Sequence, residues 1–195
     1  MRVHGAAQDA GAVDFLARRM ALKAGLGLVA ALATPAPAWA KILVKKPNRE
    51  LSFLNLQTGE HLRAEYFHNG QYVPGAMHAI SVLLRDHHNN KVHPIDPHLL
   101  DLAHLLQANV RSATPINVVC GYRSPETNAM MHEVSAGVAV HSMHIQGKAI
   151  DLRLPGTRLS SLRKAALALR QGGVGYYPED DFVHIDTGAV RHWVG

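Results

Sequence analysis

Cysteine is almost absent from this chain: Cys120 stands alone among 195 residues, so no internal disulfide can form. It ends the apolar run Ile116–Cys120 and reads as a small buried hydrophobe on a strand. No motif surrounds it to favour the other reading, a metal thiolate or a nucleophile. Charge is also scarce. Charged residues make up 18% of the chain and the formal net charge is +5. Four of the 20 basic and two of the 15 acidic residues fall in the first 40 positions, which leaves +3 for the remainder. That excess is mild and dispersed, without the basic stripe of a nucleic-acid-binding protein. It would suit a polyanionic matrix such as a cell wall. Long apolar runs, internal repeats and low-complexity tracts are missing too. No serine sits in a nucleophile elbow. Gly172-Gly173-Val174-Gly175 precedes no helix, so it is a turn and not a phosphate loop. His132, in Met130-Met131-His132-Glu133, lacks the second histidine of a zincin helix.

The remaining composition is that of a globular chain, with 47% hydrophobic residues and enough length for one domain with a real core. Residues 1–40 stand apart. Arg18-Arg19 precedes the weakly apolar, glycine-containing stretch 24–33, which is too short to span a membrane. Ala38-Trp39-Ala40 then supplies a small-x-small cleavage pattern. The paired arginines resemble a twin-arginine signal, which predicts passage through the Tat export machinery, cleavage after Ala40, a periplasmic location and no stable membrane span afterwards. A chance Arg-Arg in an ordinary secretory signal is the competing reading. Residues 41–50 read as a linker and 51–195 as the folded domain.

Within that domain Leu51–Leu56 and Leu62–Phe67 flank Thr58-Gly59 and predict a hairpin. Helical spacing covers 76–88 and 97–111, the second opened by Asp96 as cap and Pro97 at the first position. Residues 116–120 predict a strand. Ser124-Pro125-Glu126 opens a further helix. A strand at 148–154, a helix at 159–170 ended by Gly172-Gly173, and strands at 174–177 and 182–186 complete a mixed α+β domain. Its helices pack on a small antiparallel sheet that carries the late motifs.

Histidine is abundant, with 14 residues. His87, His88 and His93 lie near a helix end and read as surface residues. His144, Asp151 and His184 differ. Strand alternation puts Asp151 on the face opposite Ile150 and Leu152, and puts His184 with Asp186 opposite Val183 and Ile185. Gly147 permits a tight turn that folds His144 back toward Asp151. Two imidazoles and a carboxylate suffice for a catalytic zinc with one position open to water.

Ser142-x-His144-x-x-Gly147-x-Ala149-x-Asp151, followed by Val183-His184-Ile185-Asp186, resembles the zinc D-Ala-D-Ala carboxypeptidase-like metallopeptidases. They belong to the fold group shared with lysostaphin and the hedgehog signalling domain. Gly121-Tyr122-Arg123-Ser124, the Gly172–Pro178 stretch and Arg191-His192-Trp193 extend the likeness across 51–193, toward the murein endopeptidase K branch of Gram-negative bacteria. The resemblance implies one Zn2+ per chain held by His144, Asp151 and His184. It implies Arg123 as the arginine beside the metal, steadying an oxyanion or holding a substrate carboxylate. From the residues alone, Arg123 reads equally as a structural ion pair. The resemblance also implies a general base three residues before the last histidine, here Asp181. Asp186 competes for that role, or orients a ligand histidine. His141 and His192 are candidate substrate contacts. The expected activity is zinc-dependent hydrolysis of peptide cross-links between peptidoglycan stems, including diaminopimelate-to-diaminopimelate links. A D-Ala carboxypeptidase or dipeptidase of the same family, and a non-catalytic wall-binding module, are the alternatives.

Overall fold

The computed structural model describes residues 47–135 and 137–195. The expected signal and residues 41–46 of the expected linker lie outside them. Eight strands form one sheet: β1 (Arg49–Asn55), β2 (His61–His68), β3 (Gln71–Tyr72), β4 (Ile116–Cys120), β5 (Ala149–Arg153), β6 (Gly173–Tyr177), β7 (Phe182–Asp186) and β8 (Arg191–Val194). Their spatial order is β3-β2-β1-β4-β5-β7-β6-β8. The β1–β4 and β6–β8 pairs are parallel and the other pairs antiparallel. The four helices among the described residues are α1 (Pro74–Leu83), α2 (Pro97–Asn109), α3 (Pro125–Val134) and α4 (Leu159–Leu169). The α+β class expected from the sequence is the one observed, though the sheet is larger than expected. It takes in the early hairpin, the short β3 and the edge strand β8.

Local chemistry explains the helix starts. The Asp96 carboxylate accepts from the His98 amide at 2.9 Å and the Ser124 hydroxyl accepts from the Thr127 amide at 3.2 Å. In each case proline follows the cap, where no amide donor is needed. α1 stops at Leu83, five residues before the end that its apolar spacing predicts. The Asp86 carboxylate supplies the reason, because it accepts from the amides of His88 (2.9 Å) and Ser124 (2.8 Å). These bonds fold residues 86–90 into a loop instead of another helical turn. β1 begins at Arg49, inside the stretch read as linker. Its guanidinium lies 3.5 Å from the Phe67 ring centroid and pairs with Asp101, which lets a charged residue start a buried strand.

α2 and α4 pack on the sheet. The core includes Leu99, Leu102 and Leu106 from α2, Leu162 and Ala166 from α4, and Ile150, Leu152, Val174, Val183 and Ile185 from the strands. Since strand side chains alternate, Asp151, Gly175 and His184 lie on the opposite face. The core therefore acts as a rigid floor beneath that second face, and the expected hydrolytic residues stand on it.

Candidate metal centre

The site is built along one row of the sheet. Asp151 pairs directly with His184 across β5 and β7, and His184 pairs with Gly175 across β7 and β6. On the other side, a register shift between Val118 and Cys120 brings Cys120 opposite Asp151. Without that bulge Val119 would occupy the position. Gly175 in turn faces Trp193 on β8. A Cβ at Gly175 would come within 2.7 Å of the Trp193 indole. Glycine there lets the indole lie across the strand, its centroid 5.1 Å from that of His184.

His144 arrives from outside the sheet, on a single 3-10 turn, Met143–Gln146. The Ser142 hydroxyl caps this turn by accepting from the His144 amide at 3.3 Å. Gly147 ends it at φ 63°, and its carbonyl accepts from the Asp96 amide at 2.9 Å. A Cβ at Gly147 would sit 2.3 Å from the Pro94 carbonyl oxygen, so both the backbone angle and the space demand glycine.

Three donor atoms converge. His144 Nε2 and His184 Nδ1 are 3.1 Å apart. Asp151 Oδ1 lies 2.8 Å from the His184 atom and 3.3 Å from the His144 atom. Metal–ligand bonds of about 2.0–2.2 Å in a tetrahedron give donor-to-donor edges of about 3.3–3.6 Å. The observed triangle is close to one face of such a tetrahedron. The ring tautomers fit as well. His144 Nδ1 donates to the Gly121 carbonyl at 2.7 Å, and His184 Nε2 donates to Asp186 Oδ2 at 3.1 Å. Each ring thereby turns its other nitrogen toward the common point, the orientation that metal-ligating histidines adopt. The three residues are buried. Burial lowers the affinity of His144 for a proton, but the Asp151 charge, and then Cys120, overcome it and push the group up to about 10. Burial raises Asp151, yet the charge and hydrogen bonds of His144, with a further bond from His184, hold it well below the usual carboxylate range. Together these groups make a buried donor set that could hold a cation in place of the shared proton.

The other sequence-derived residues separate into those on the cavity and those behind or outside it. A cavity of about 600 Å³ opens over the triangle and is lined by Arg123, His141, Asp180, Tyr177 and Trp193, among others. Arg123 is 8% exposed and donates to Asn128 Oδ1 at 3.3 Å and to Cys120 Sγ at 3.5 Å. Neither partner is a carboxylate, so the structural ion pair allowed by the sequence is not what holds it. Asp181 is not brought to the cavity. It is exposed, lies in the left-handed region at φ 54°, and pairs with Arg153 at 2.6 Å. Its neighbour Asp180 is the acidic residue on the cavity wall.

Asp186 is fully buried behind His184. Its carboxylate also accepts from the amides of Gly173 (3.0 Å) and Gly188 (2.7 Å) and from the Arg191 guanidinium at 2.7 and 3.1 Å. Burial raises its proton affinity, but these bonds, led by the one from His184, hold the group well below the carboxylate range. His192 is exposed on β8 and does not line the cavity, whereas its neighbours Arg191 and Trp193 do. One-residue alternation on the strand explains the difference.

The lining includes residues that the sequence reading does not assign to the site, Asp180, His87, His88 and Cys120 among them. His87 and His88, expected at the surface, line the cavity because the Asp86 loop carries them there. The run Asp86-His87-His88-Asn89-Asn90 is rich in turn formers and was the available signal. Cys120, expected to act as a core hydrophobe, is only partly buried. Its sulfur falls in a group with donor atoms of His144 and Asp151, all within 4.8 Å of one another.

Comparison with known proteins agrees with this arrangement. Residues 44–193 match a family model described as Peptidase_M15_2, peptidoglycan L,D-endopeptidase MepK. The chain is 42% identical over 176 residues to the peptidoglycan L,D-endopeptidase MepK of Escherichia coli (strain K12), covering 90% of this chain and 96% of the relative. It is 44% identical over 163 residues to the probable peptidoglycan L,D-endopeptidase MepK of Haemophilus influenzae, covering 83% and 87%. No solved structure matches the chain. Carrying the donor triangle within a match of this length, the chain belongs to the M15_2 peptidase family, that of the peptidoglycan L,D-endopeptidase MepK.

Proposed function

We propose that this protein is a zinc-dependent murein endopeptidase that hydrolyses peptide cross-links of peptidoglycan. The observation that carries the reading is the triangle of His144 Nε2, Asp151 Oδ1 and His184 Nδ1 at 2.8 to 3.3 Å, open to the 600 Å³ cavity. Two neutral imidazoles and one carboxylate form a zinc donor set with net positive charge. Bound zinc would acidify water and polarise a carbonyl. The chain's own residues would do the rest. Arg123 presents a cation to the cavity, suited to an oxyanion or a substrate carboxylate. Asp186 orients His184, since its lone pairs already serve several donors, rather than taking a proton from water. In the acidic turn Asp180, on the cavity wall, is better placed as proton acceptor than Asp181. His141, His87 and His88 line the approach for substrate; His192 faces away from it. The L,D designation of the family supports a bond between an L and a D centre, such as the diaminopimelate-to-diaminopimelate link. The signal-like pattern at 1–40, ahead of the matched 44–193, supports Tat export to the periplasm.

Purified cross-linked and monomeric muropeptides, incubated separately with the zinc-loaded protein and followed by mass spectrometry, test the reading. Dimers should fall to monomers. Trimming of monomers only would replace the endopeptidase by a carboxypeptidase, and no conversion of either would leave a binding module. Asp180→Asn should lower kcat by about 100-fold or more with zinc content unchanged, whereas Asp181→Asn should leave kcat near wild type.

A further inference from the structure

Arg123 is held on the cavity wall without being neutralised. It is 8% exposed, and a buried cation ordinarily has a carboxylate partner. Among the described residues no carboxylate bonds to this guanidinium. One nitrogen donates to the Cys120 sulfur at 3.5 Å and Nε has no partner. The one oxygen that accepts from the group, among the described residues, is Oδ1 of Asn128 at 3.3 Å. Asn128 is 3% exposed and stands on α3, where its own amide donates to the Ser124 carbonyl at 2.9 Å. The helix therefore fixes the base of the side chain that holds the arginine. The other end of that side chain is occupied too. Asn128 Nδ2 donates to the carbonyls of Ala139 at 3.1 Å and Val140 at 3.3 Å. These bonds decide which end of the amide faces Arg123, since only its oxygen can accept and only its nitrogen can donate. Val138, Ala139 and His141 line the cavity, and the segment leads into the turn that carries His144. One asparagine thus joins Arg123 to the cavity rim.

We propose that Asn128 is the positioning residue for Arg123, fixing the guanidinium through a neutral acceptor so that its whole charge is left for the substrate. The proposal rests on the role given to Arg123 in the reading above. Two alternatives of similar size show why asparagine suits the position. Aspartate would pair with the guanidinium and cancel the charge that an oxyanion or substrate carboxylate needs. It would also set a carboxylate oxygen against the Ala139 and Val140 carbonyls, which accept and cannot donate. Leucine would offer neither bond and leave both the guanidinium and the two carbonyls unpaired. Asparagine alone of these supplies one acceptor for the arginine and a donor group for the rim.

A double-mutant cycle on the zinc-loaded protein tests this, with wild type, Asn128→Ala, Arg123→Ala and the pair compared. The readouts are kcat and KM on cross-linked muropeptides, with zinc content measured alongside. Asn128→Ala should lower kcat/KM about 10–100-fold with zinc content unchanged, because a displaced guanidinium no longer meets the reacting atoms. The pair should fall no more than about threefold below Arg123→Ala alone, since the group that Asn128 positions is then already gone. Losses that multiply in the pair would show Asn128 acting independently of Arg123 and overturn the proposal, as would an Asn128→Ala protein with wild-type kinetics. Arg123→Ala at wild-type kcat/KM would instead remove the role of Arg123 on which the proposal rests. Should Asn128→Ala misfold, Asn128→Asp decides, because it keeps the shape of the side chain. It should lower kcat/KM at least about tenfold through the cancelled charge, and wild-type activity in that variant would refute the need for a neutral acceptor.

Discussion

Asp186→Asn separates orientation of a ligand histidine from proton transfer. The variant keeps the shape of the side chain and removes its charge. An asparagine oxygen at the Oδ1 position can still accept from Gly173, Gly188 and one Arg191 nitrogen. The amide nitrogen then takes the Oδ2 position, facing the other Arg191 nitrogen and His184 Nε2, both of them donors. Two contacts are lost, one of them charge-assisted. Such a loss at a buried site costs about 3–5 kcal/mol. Arg191 is 44% exposed, so water screens part of its attraction and the low end applies, about 3 kcal/mol. For a domain of this size that lowers Tm by about 6–12 °C. With its tautomer no longer pinned, His184 should bind zinc about 10–100-fold more weakly.

The pH dependence adds a signature. The Asp186 carboxyl is held below its unfolded value. Its stabilisation is therefore present above about pH 3.9 and lost as pH falls through the folded value. The stability gap between wild type and variant should close in that acid range. Circular dichroism of the metal-free proteins against temperature and pH, with chelator competition for zinc, measures all three quantities. A variant with unchanged Tm and zinc affinity but abolished turnover would refute this account and make Asp186 the proton acceptor.

Three further outcomes are expected. Zinc must displace a proton held by His144 up to about pH 10, so its apparent affinity should rise about tenfold per pH unit between about pH 7 and 9, as followed by competition titration. In the metal-free protein His144, raised above its unfolded value near 6.5, contributes stability that is full below about pH 6.5 and fades toward about 10. Gly175→Ala should displace the Trp193 indole, which a Cβ would approach within 2.7 Å, shifting tryptophan fluorescence and raising KM more than it weakens zinc binding. Arg123→Lys keeps the charge but loses the planar fork that reaches both Asn128 and Cys120. It should lower kcat/KM about 100-fold with zinc content unchanged, and near-wild-type kinetics would return Arg123 to a structural role.

Most elements were legible because their signals are local. Asp96-Pro97 and Ser124-Pro125 start helices through bonds to amides two and three residues away. The periodicity of β5 and β7 placed Asp151 and His184 on the face away from the core. The elements missed are those whose cause is distant. α1 ends where the Asp86 carboxylate bonds to Ser124, 38 residues on. β3 and β8 are short edge strands with little hydropathy pattern, and β1 starts on an arginine buried by Phe67 and Asp101.

The same division holds at the centre. The types and spacing of His144, Gly147, Asp151 and His184 determined which residues could gather, because a turn-forming glycine and strand alternation are properties of the local chain. Only the tertiary structure decided which of their neighbours join them. The Val118–Cys120 bulge aligns a sulfur with Asp151, the two-residue step along β7 buries Asp186 behind His184 at 3.1 Å, and the turn after β6 turns Asp180 inward and Asp181 to Arg153. Register across strands and the direction of a turn depend on partners remote in sequence, and one residue of slip reverses which side chain faces the cavity.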